Sequence, residues 1–341
     1  MNTDWQAFLE SQAPDLETKP QVDPDENILS NLAELGEIRI SGDDAEDFLQ
    51  GQFSNDIKLL QGDNSQLSSY CSPKGRILAC FRIYKVADAF HLLLPIDTIP
   101  ATIKRLRMYV LMSKVVLEDL SDSRVRIGIS GNNAAKMLKS VFSAVTDKND
   151  YLSIENGLHL IKIPGPQDRF ILSGESIAMQ STWNKLSDHF LATSGEAWTQ
   201  LDIQAGLPSV FANTTDTFVP QMLNLHAING VSFSKGCYPG QEIVARMYYL
   251  GKLKRRMYHA HVNTEQRPQA GDEIFSASSD SGQGAGKVVS VSADSNGGFS
   301  LLAVVQVSVA EKNDACLVNT QGPVLDFVAL PYDVPLERVQ S

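Results

Sequence analysis

A chain of 341 residues exceeds one ordinary core and suits two or three domains. Its 43% hydrophobic and 20% charged residues exclude a collagen, a coiled coil and a wholly disordered chain, and runs such as Phe90–Ile96 are far below the roughly 20 apolar residues of a membrane span. The net charge of −11 resides in residues 1–47, where 13 acids face Lys19 and Arg39; the neutral remainder lacks the basic footprint of a duplex-binding protein, and Met1-Asn2-Thr3-Asp4 lacks a secretory n-region, so a soluble, cytoplasmic protein is expected.

Residues 1–27 read as an acidic N-terminal arm. Thr3 is placed to cap a short helix with Gln6 three residues on, and Trp5, Phe8 and Leu9 form one stripe that docks on the same chain. Pro14, Pro20 and Pro24 then interrupt any helix. Glu37–Ser41 alternates as a strand, and Asp43–Gln52 follows with helical spacing. Arg76–Val86 and Phe90–Pro95 are strands around Ala87-Asp88. Pro100 opens a helix to Met112 with Lys104, Arg105 and Arg107 on its solvated side. Arg124–Ile129, Leu158–Pro164 and Arg169–Leu172 are strand-like, with helices from Gly131 and near Ile177–Leu191, which makes 123–196 an α+β block.

Past Gly251, strands at Arg256–Val262, Glu273–Ala277, Gly286–Val291, Ser300–Val307 and Ala315–Val318 lie between turn clusters, the pattern of a small antiparallel barrel or sandwich. Gly282–Gly286 precedes a strand, so it reads as a hairpin turn and not as a phosphate loop. His259 and His261 alternate on one strand without a third ligand, and no metal site is expected.

Cys71, Cys80, Cys237 and Cys316 form neither a disulfide framework nor a C-x-x-C pair. The chemistry is densest at Lys235-Gly236-Cys237-Tyr238-Pro239-Gly240-Gln241-Glu242. Pro239-Gly240 suits the centre of a type II turn, and a helix from Gln241 to Tyr248 would follow. Cys237 would then precede a helix N-terminus with Lys235 close by, both favouring the thiolate; the competing reading is a buried, inert thiol. Arg246, Lys252, Lys254, Arg255 and Arg256 come next, either as a solvated face or as an anion-docking surface.

This motif resembles the signature of the bacterial YgfZ proteins, folate-binding proteins tied to tRNA modification and iron–sulfur enzyme upkeep and related to the glycine-cleavage T-protein, an aminomethyltransferase. Trp198 before Leu201–Pro208, Phe218–Gln221 with Asn224-Leu225, Gly230–Phe233, Gly51-Gln52 with Asn55-Asp56, and Lys74-Gly75-Arg76 carry the likeness from about residue 28 to Tyr332. It implies an α+β three-domain ring: a discontinuous folate-binding domain of 28–122 plus 197–250, a second α+β domain at 123–196, and a C-terminal β-barrel at 251–334.

The resemblance also implies tetrahydrofolate or a folate derivative as ligand, with Trp198 as a stacking partner, while Leu35 stands where the family has a second tryptophan. Lys254, Arg255 and Arg256 are candidates for docking the anionic tail of folate. Ala79 and Cys80 occupy the place of the acidic pair that serves aminomethyl transfer. The expectation is therefore an accessory protein whose partners are folate and iron–sulfur enzymes, including tRNA-modifying ones, with Cys237 as its working group. The alternative is a folate-dependent one-carbon transferase using Glu242 or Asp202.

Overall fold

A computed structural model describes residues 2–12, 16, 26–142, 150–279 and 284–335. In chain order, helix α1 (Thr3–Gln12) precedes β1 (Ile28–Asn31), β2 (Leu35–Ser41), α2 (Ala45–Gln50), β3 (Ser65–Cys71), β4 (Ile77–Val86) and β5 (Ala89–Pro95). Next come α3 (Ile99–Val110), β6 (Val116–Asp119), β7 (Arg124–Ser130), α4 (Ala134–Val141), β8 (Tyr151–Ile154), β9 (Leu158–Ile163) and β10 (Arg169–Glu175). The chain continues through α5 (Ser176–Leu186), β11 (Leu191–Thr193), α6 (Gly195–Gln204), α7 (Gln241–Leu250), β12 (Arg255–Val262) and β13 (Glu273–Phe275). It closes with β14 (Gly286–Ala293), β15 (Phe299–Gln306), α8 (Val307–Ala310), β16 (Cys316–Leu317) and β17 (Asp326–Val328).

Two compact units share these elements. The first comprises Met1–Phe48, Lys58–Gln66 and Arg82–Trp198, and the second Leu49–Ile57, Leu67–Phe81 and Thr199–Ser341. In the first unit a six-stranded sheet runs β11-β1-β7-β10-β9-β8. It is antiparallel except where β1 meets β11, with Ile28 opposite Leu191. A five-stranded sheet has the order β3-β4-β5-β2-β6, antiparallel where β4 meets β5, β5 meets β2 and β2 meets β6, and β3 from Leu67 and β4 to Phe81 count with the second unit.

Leu29, Ile127, Ile129, Leu138, Leu172, Met179 and Trp183 build the first unit's core, and α1 adds Trp5 and Leu9 to it. The Trp5 ring meets Trp183 edge-on at 5.5 Å, and its indole N–H donates to Asn31 Oδ1 at 3.1 Å. The apolar stripe thus docks on its own chain. Its cap is Asn2 and not Thr3: Asn2 Oδ1 accepts from the Trp5 amide at 3.0 Å, the N3 bond of a capping side chain, and Thr3 is already helical. Pro14, Pro20 and Pro24 lie outside the described residues.

In the second unit a six-stranded antiparallel sheet runs β16-β13-β14-β15-β12-β17. The tail expected as a small barrel or sandwich is, among the described residues, one curled half-barrel sheet with β16 and β17 at its edges. The Ala285 amide donates to the Ile274 carbonyl at 2.7 Å, and Gly282 and Gln283 lie outside the described residues. The strands on either side, β13 and β14, pair antiparallel, with Ile274 opposite Gly286.

Candidate functional site

The Cys237 loop is built in the second unit from backbone geometry. The Gln241 amide closes a four-residue turn onto the Tyr238 carbonyl at 3.2 Å. Gly240 sits at φ 80° and ψ 1°, the third position of a type II turn, which an L side chain resists. Space excludes a side chain as well: a Cβ on Gly240 would lie 2.4 Å from the Ser72 carbonyl oxygen and 2.6 Å from the Gly75 Cα. The Lys74-Gly75-Arg76 turn therefore packs against the Pro239-Gly240 turn, although about 160 residues separate them in sequence.

The loop is held from both ends. Lys235 is buried, and its Nζ donates to the carbonyls of Gln50 at 2.6 Å, Phe53 at 2.6 Å and Asn55 at 3.0 Å. Burial pushes its ammonium down to about 8, which leaves it charged at neutral pH. Three acceptors take all three of its protons. Lys235 thus clamps the 50–55 segment, so its charge is spent on these carbonyls and not on the thiol two residues away, as the sequence had suggested.

At the other end the Gln241 side-chain amide donates to the carbonyls of Lys235 at 3.5 Å and Gly236 at 3.4 Å. Gln221 Nε2 donates to the Val244 carbonyl at 2.6 Å and pins α7, and Asn224 Nδ2 pins β12 through the Met257 carbonyl at 2.9 Å. Ser54 Oγ and Asn55 Nδ2 reach the carbonyls of Gly230 and Asn229 at 3.0 and 2.7 Å. The residues that surround the motif in sequence are its scaffold.

On this support Cys237 is exposed, while Cys71, Cys80 and Cys316 are buried. Burial raises the Cys71 thiol to about 12 and the Tyr238 phenol well above its ordinary value. Both stay neutral. Glu242 is exposed in the first turn of α7 and Asp202 is half-buried in α6. Ala79 and Cys80 are buried and carry no carboxylate.

The basic run is not one free surface. Arg255 Nη2 donates to the Gly284 carbonyl at 3.0 Å, and Arg256 donates to the Val334 carbonyl at 3.3 Å with its guanidinium 4.6 Å over the Tyr258 ring. Lys254 is exposed. His259 bonds Ser300 Oγ and His261 bonds the Gly297 carbonyl, each at 2.8 Å, so both imidazoles serve the sheet.

Trp198 belongs to the first unit and is only 6% exposed. It lies against β7 where Gly128 makes room, since a Cβ there would sit 2.3 Å from the ring. The Arg169 guanidinium lies 4.4 Å from the ring centroid. A ring so enclosed lacks the open face that a stacked pterin needs.

The first unit also holds a cluster that sequence reasoning missed. Glu37 on β2, His91 on β5 and His159 on β9 place potential ligand atoms within 4.8 Å of one another. The Glu37 carboxylate accepts from His91 Nδ1 at 2.7 Å, Tyr84 Oη at 3.0 Å and Ser173 Oγ at 2.5 Å. Arg124 donates to His159 Nδ1 at 3.2 Å and lies 3.4 Å from Glu37.

Burial alone would raise Glu37, but the His91 bond and the Arg124 charge outweigh it and hold the carboxyl at about 2. Burial, then the Arg124 charge, drive His159 down to about 3. With the carboxylate saturated and a guanidinium among the ligands, the group is a charge network joining two sheets and a poor cation site.

The family model described as the GCVT N-terminal domain matches residues 25–175. The tRNA-modifying protein YgfZ of Colwellia psychrerythraea is 33% identical over 316 residues, covering 92% of this chain and 95% of that protein. The chain belongs to the YgfZ family. YgfZ of Pectobacterium carotovorum is 30% identical over 293 residues, 86% of this chain and 88% of its own.

The fold of this family member is that of the glycine cleavage system aminomethyltransferase T from Bartonella henselae. The TM-score is 0.68 at 17% identity, over 90% of this chain and 86% of the other. Among the described residues no helix is long and apolar enough to cross a membrane.

Proposed function

We propose that this YgfZ-family protein serves tRNA modification as an accessory to iron–sulfur enzymes, working through the Cys237 thiol. The observation that supports it is the placement of the cysteines: one exposed thiol on a loop clamped at both ends, and three buried. The relatives' shared name, tRNA-modifying protein, supplies the process. A thiolate at such a loop offers one soft ligand or one nucleophile, and a client enzyme's own residues supply the rest of any cluster's ligands.

Folate is the ligand class that the family resemblance brings, but the enclosed Trp198 ring offers it no open stacking face, and the buried Ala79 and Cys80 carry no carboxylate for aminomethyl transfer. No step of the reading runs through folate. Titration with tetrahydrofolate should accordingly give the same affinity for Trp198→Phe as for wild type, and a weakening of about tenfold or more would return that ring to a pterin site.

The central test is complementation of a deletion strain with Cys237→Ser, scored by the modified nucleosides of total tRNA. The expected result is loss of modification with an unchanged thermal transition. Full complementation by that variant overturns the reading.

A further inference from the structure

Helix α7 carries more than the thiol loop requires. Ile243 is 40%, Tyr249 45% and Leu250 83% exposed, and Arg246 is exposed as well. The spacings 243, 246 and 250 place three of these on one helix face. Tyr248 stacks on Phe233 with centroids 3.7 Å apart and planes 12° from parallel. Tyr249 meets the two rings edge-on at 5.1 and 6.1 Å.

Cations flank these rings at both ends of the helix. The first turn of α7 abuts the Lys74–Arg76 turn, because a Cβ on Gly75 would lie 2.9 Å from Ile243 Cβ; Lys74 and Arg76 are exposed there. Lys252 and Lys254 are exposed beyond the last turn. No acid occurs between Glu242 and Glu265.

A solvated helix face accounts for scattered cations, but not for exposed aromatic and aliphatic side chains among them. Cations that neutralise phosphates beside rings that accept a base are the physics of single-stranded nucleic-acid binding. A duplex offers no free base faces to such rings. We propose that this face of α7, with the Lys74–Arg76 turn and Lys252–Lys254, receives an unpaired loop of RNA next to Cys237. The inference rests on the tRNA-modification reading and adds a direct RNA contact to it.

The test is fluorescence anisotropy with the full-length protein, a labelled RNA hairpin and a blunt RNA duplex of the same stem. The hairpin should bind at least about tenfold more tightly than the duplex. Tyr249→Ala should weaken hairpin binding by about 5- to 150-fold, the range for one lost base stack. Arg246→Glu combined with Lys254→Glu should weaken it and flatten its salt dependence, while Lys185→Glu on α5 should leave it unchanged.

Equal binding of hairpin and duplex would reduce the face to phosphate attraction and overturn the proposal. So would an unaltered Tyr249→Ala, or no hairpin binding at low salt, which would assign the face to a protein partner. If hairpin binding fails while Cys237→Ser still abolishes tRNA modification, only this inference falls. If the hairpin binds as expected and Cys237→Ser complements fully, the thiol reading falls instead.

Discussion

Replacing His159 with Asn should remove most of the acid sensitivity of the first unit. Burial and Arg124 lower the folded-state pKa of His159 from 6.5 to about 3. A histidine depressed in the fold is protonated first in the unfolded chain, so stability is lost as pH falls below 6.5 and continues to fall toward 3. Each pH unit inside that window costs about 1.4 kcal/mol, so going from about pH 7 to about pH 4.5 should cost on the order of 2–3 kcal/mol.

Glu37 acts with the same sign at lower pH. Its folded carboxyl titrates at about 2 against 4.5, so its contribution is intact above 4.5 and disappears as pH falls toward 2. In His159→Asn the amide oxygen takes the position of Nδ1 and accepts from Arg124 without binding a proton. Urea denaturation followed by tryptophan fluorescence measures the effect cleanly, because Trp5, Trp183 and Trp198 all belong to the first unit. A wild type that loses less than about 1 kcal/mol over this range, or a variant that loses as much as wild type, would refute the reasoning.

Two further substitutions probe the thiol loop. Lys235→Met leaves the carbonyls of Gln50, Phe53 and Asn55 without their donor; a net loss of about 2–4 kcal/mol is expected, offset in part by removing a buried charge, with faster hydrogen exchange across 50–57 as the diagnostic. Gly240→Ala meets both a φ of 80° and a carbonyl oxygen 2.4 Å from the new Cβ. It should cost about 2–3 kcal/mol and change the rate at which a thiol reagent labels Cys237, and an unchanged labelling rate would show the turn does not set the thiol's position.

The strands with clean alternation or strong β-propensity, such as Arg124–Ile129 and Arg76–Val86, were legible, and so was the turn at Pro239-Gly240. Strand β3 was not. Its Ser68 and Ser69 are fully buried, because Ser54 and Asn55 supply partners for their hydroxyls, and a hydropathy pattern reads such serines as surface. Strand β1 is four residues long, too short to show a period. The Glu37–His91–His159 network draws on three strands far apart in sequence, and nothing local marks it.

The partners of Lys235 are backbone carbonyls, which any sequence possesses. Its placement in the motif was visible, but its role as a clamp was not. Trp198 was legible as a notable aromatic, yet its enclosure by Gly128 and Arg169 depends on a strand 70 residues earlier.

The interleaving of the two units has a consequence for synthesis on the ribosome. Cys71, Ile77 and Cys80 complete their core with Ile203, Val210, Phe218 and Leu223, so this apolar segment emerges more than 120 residues before these four partners. At ~5–20 residues per second it waits about 6–25 s with its hydrophobic face uncovered. The residues beside the Lys74–Arg76 turn are therefore left uncovered while the nascent chain grows, and slower translation ahead of α6 would lengthen their exposure.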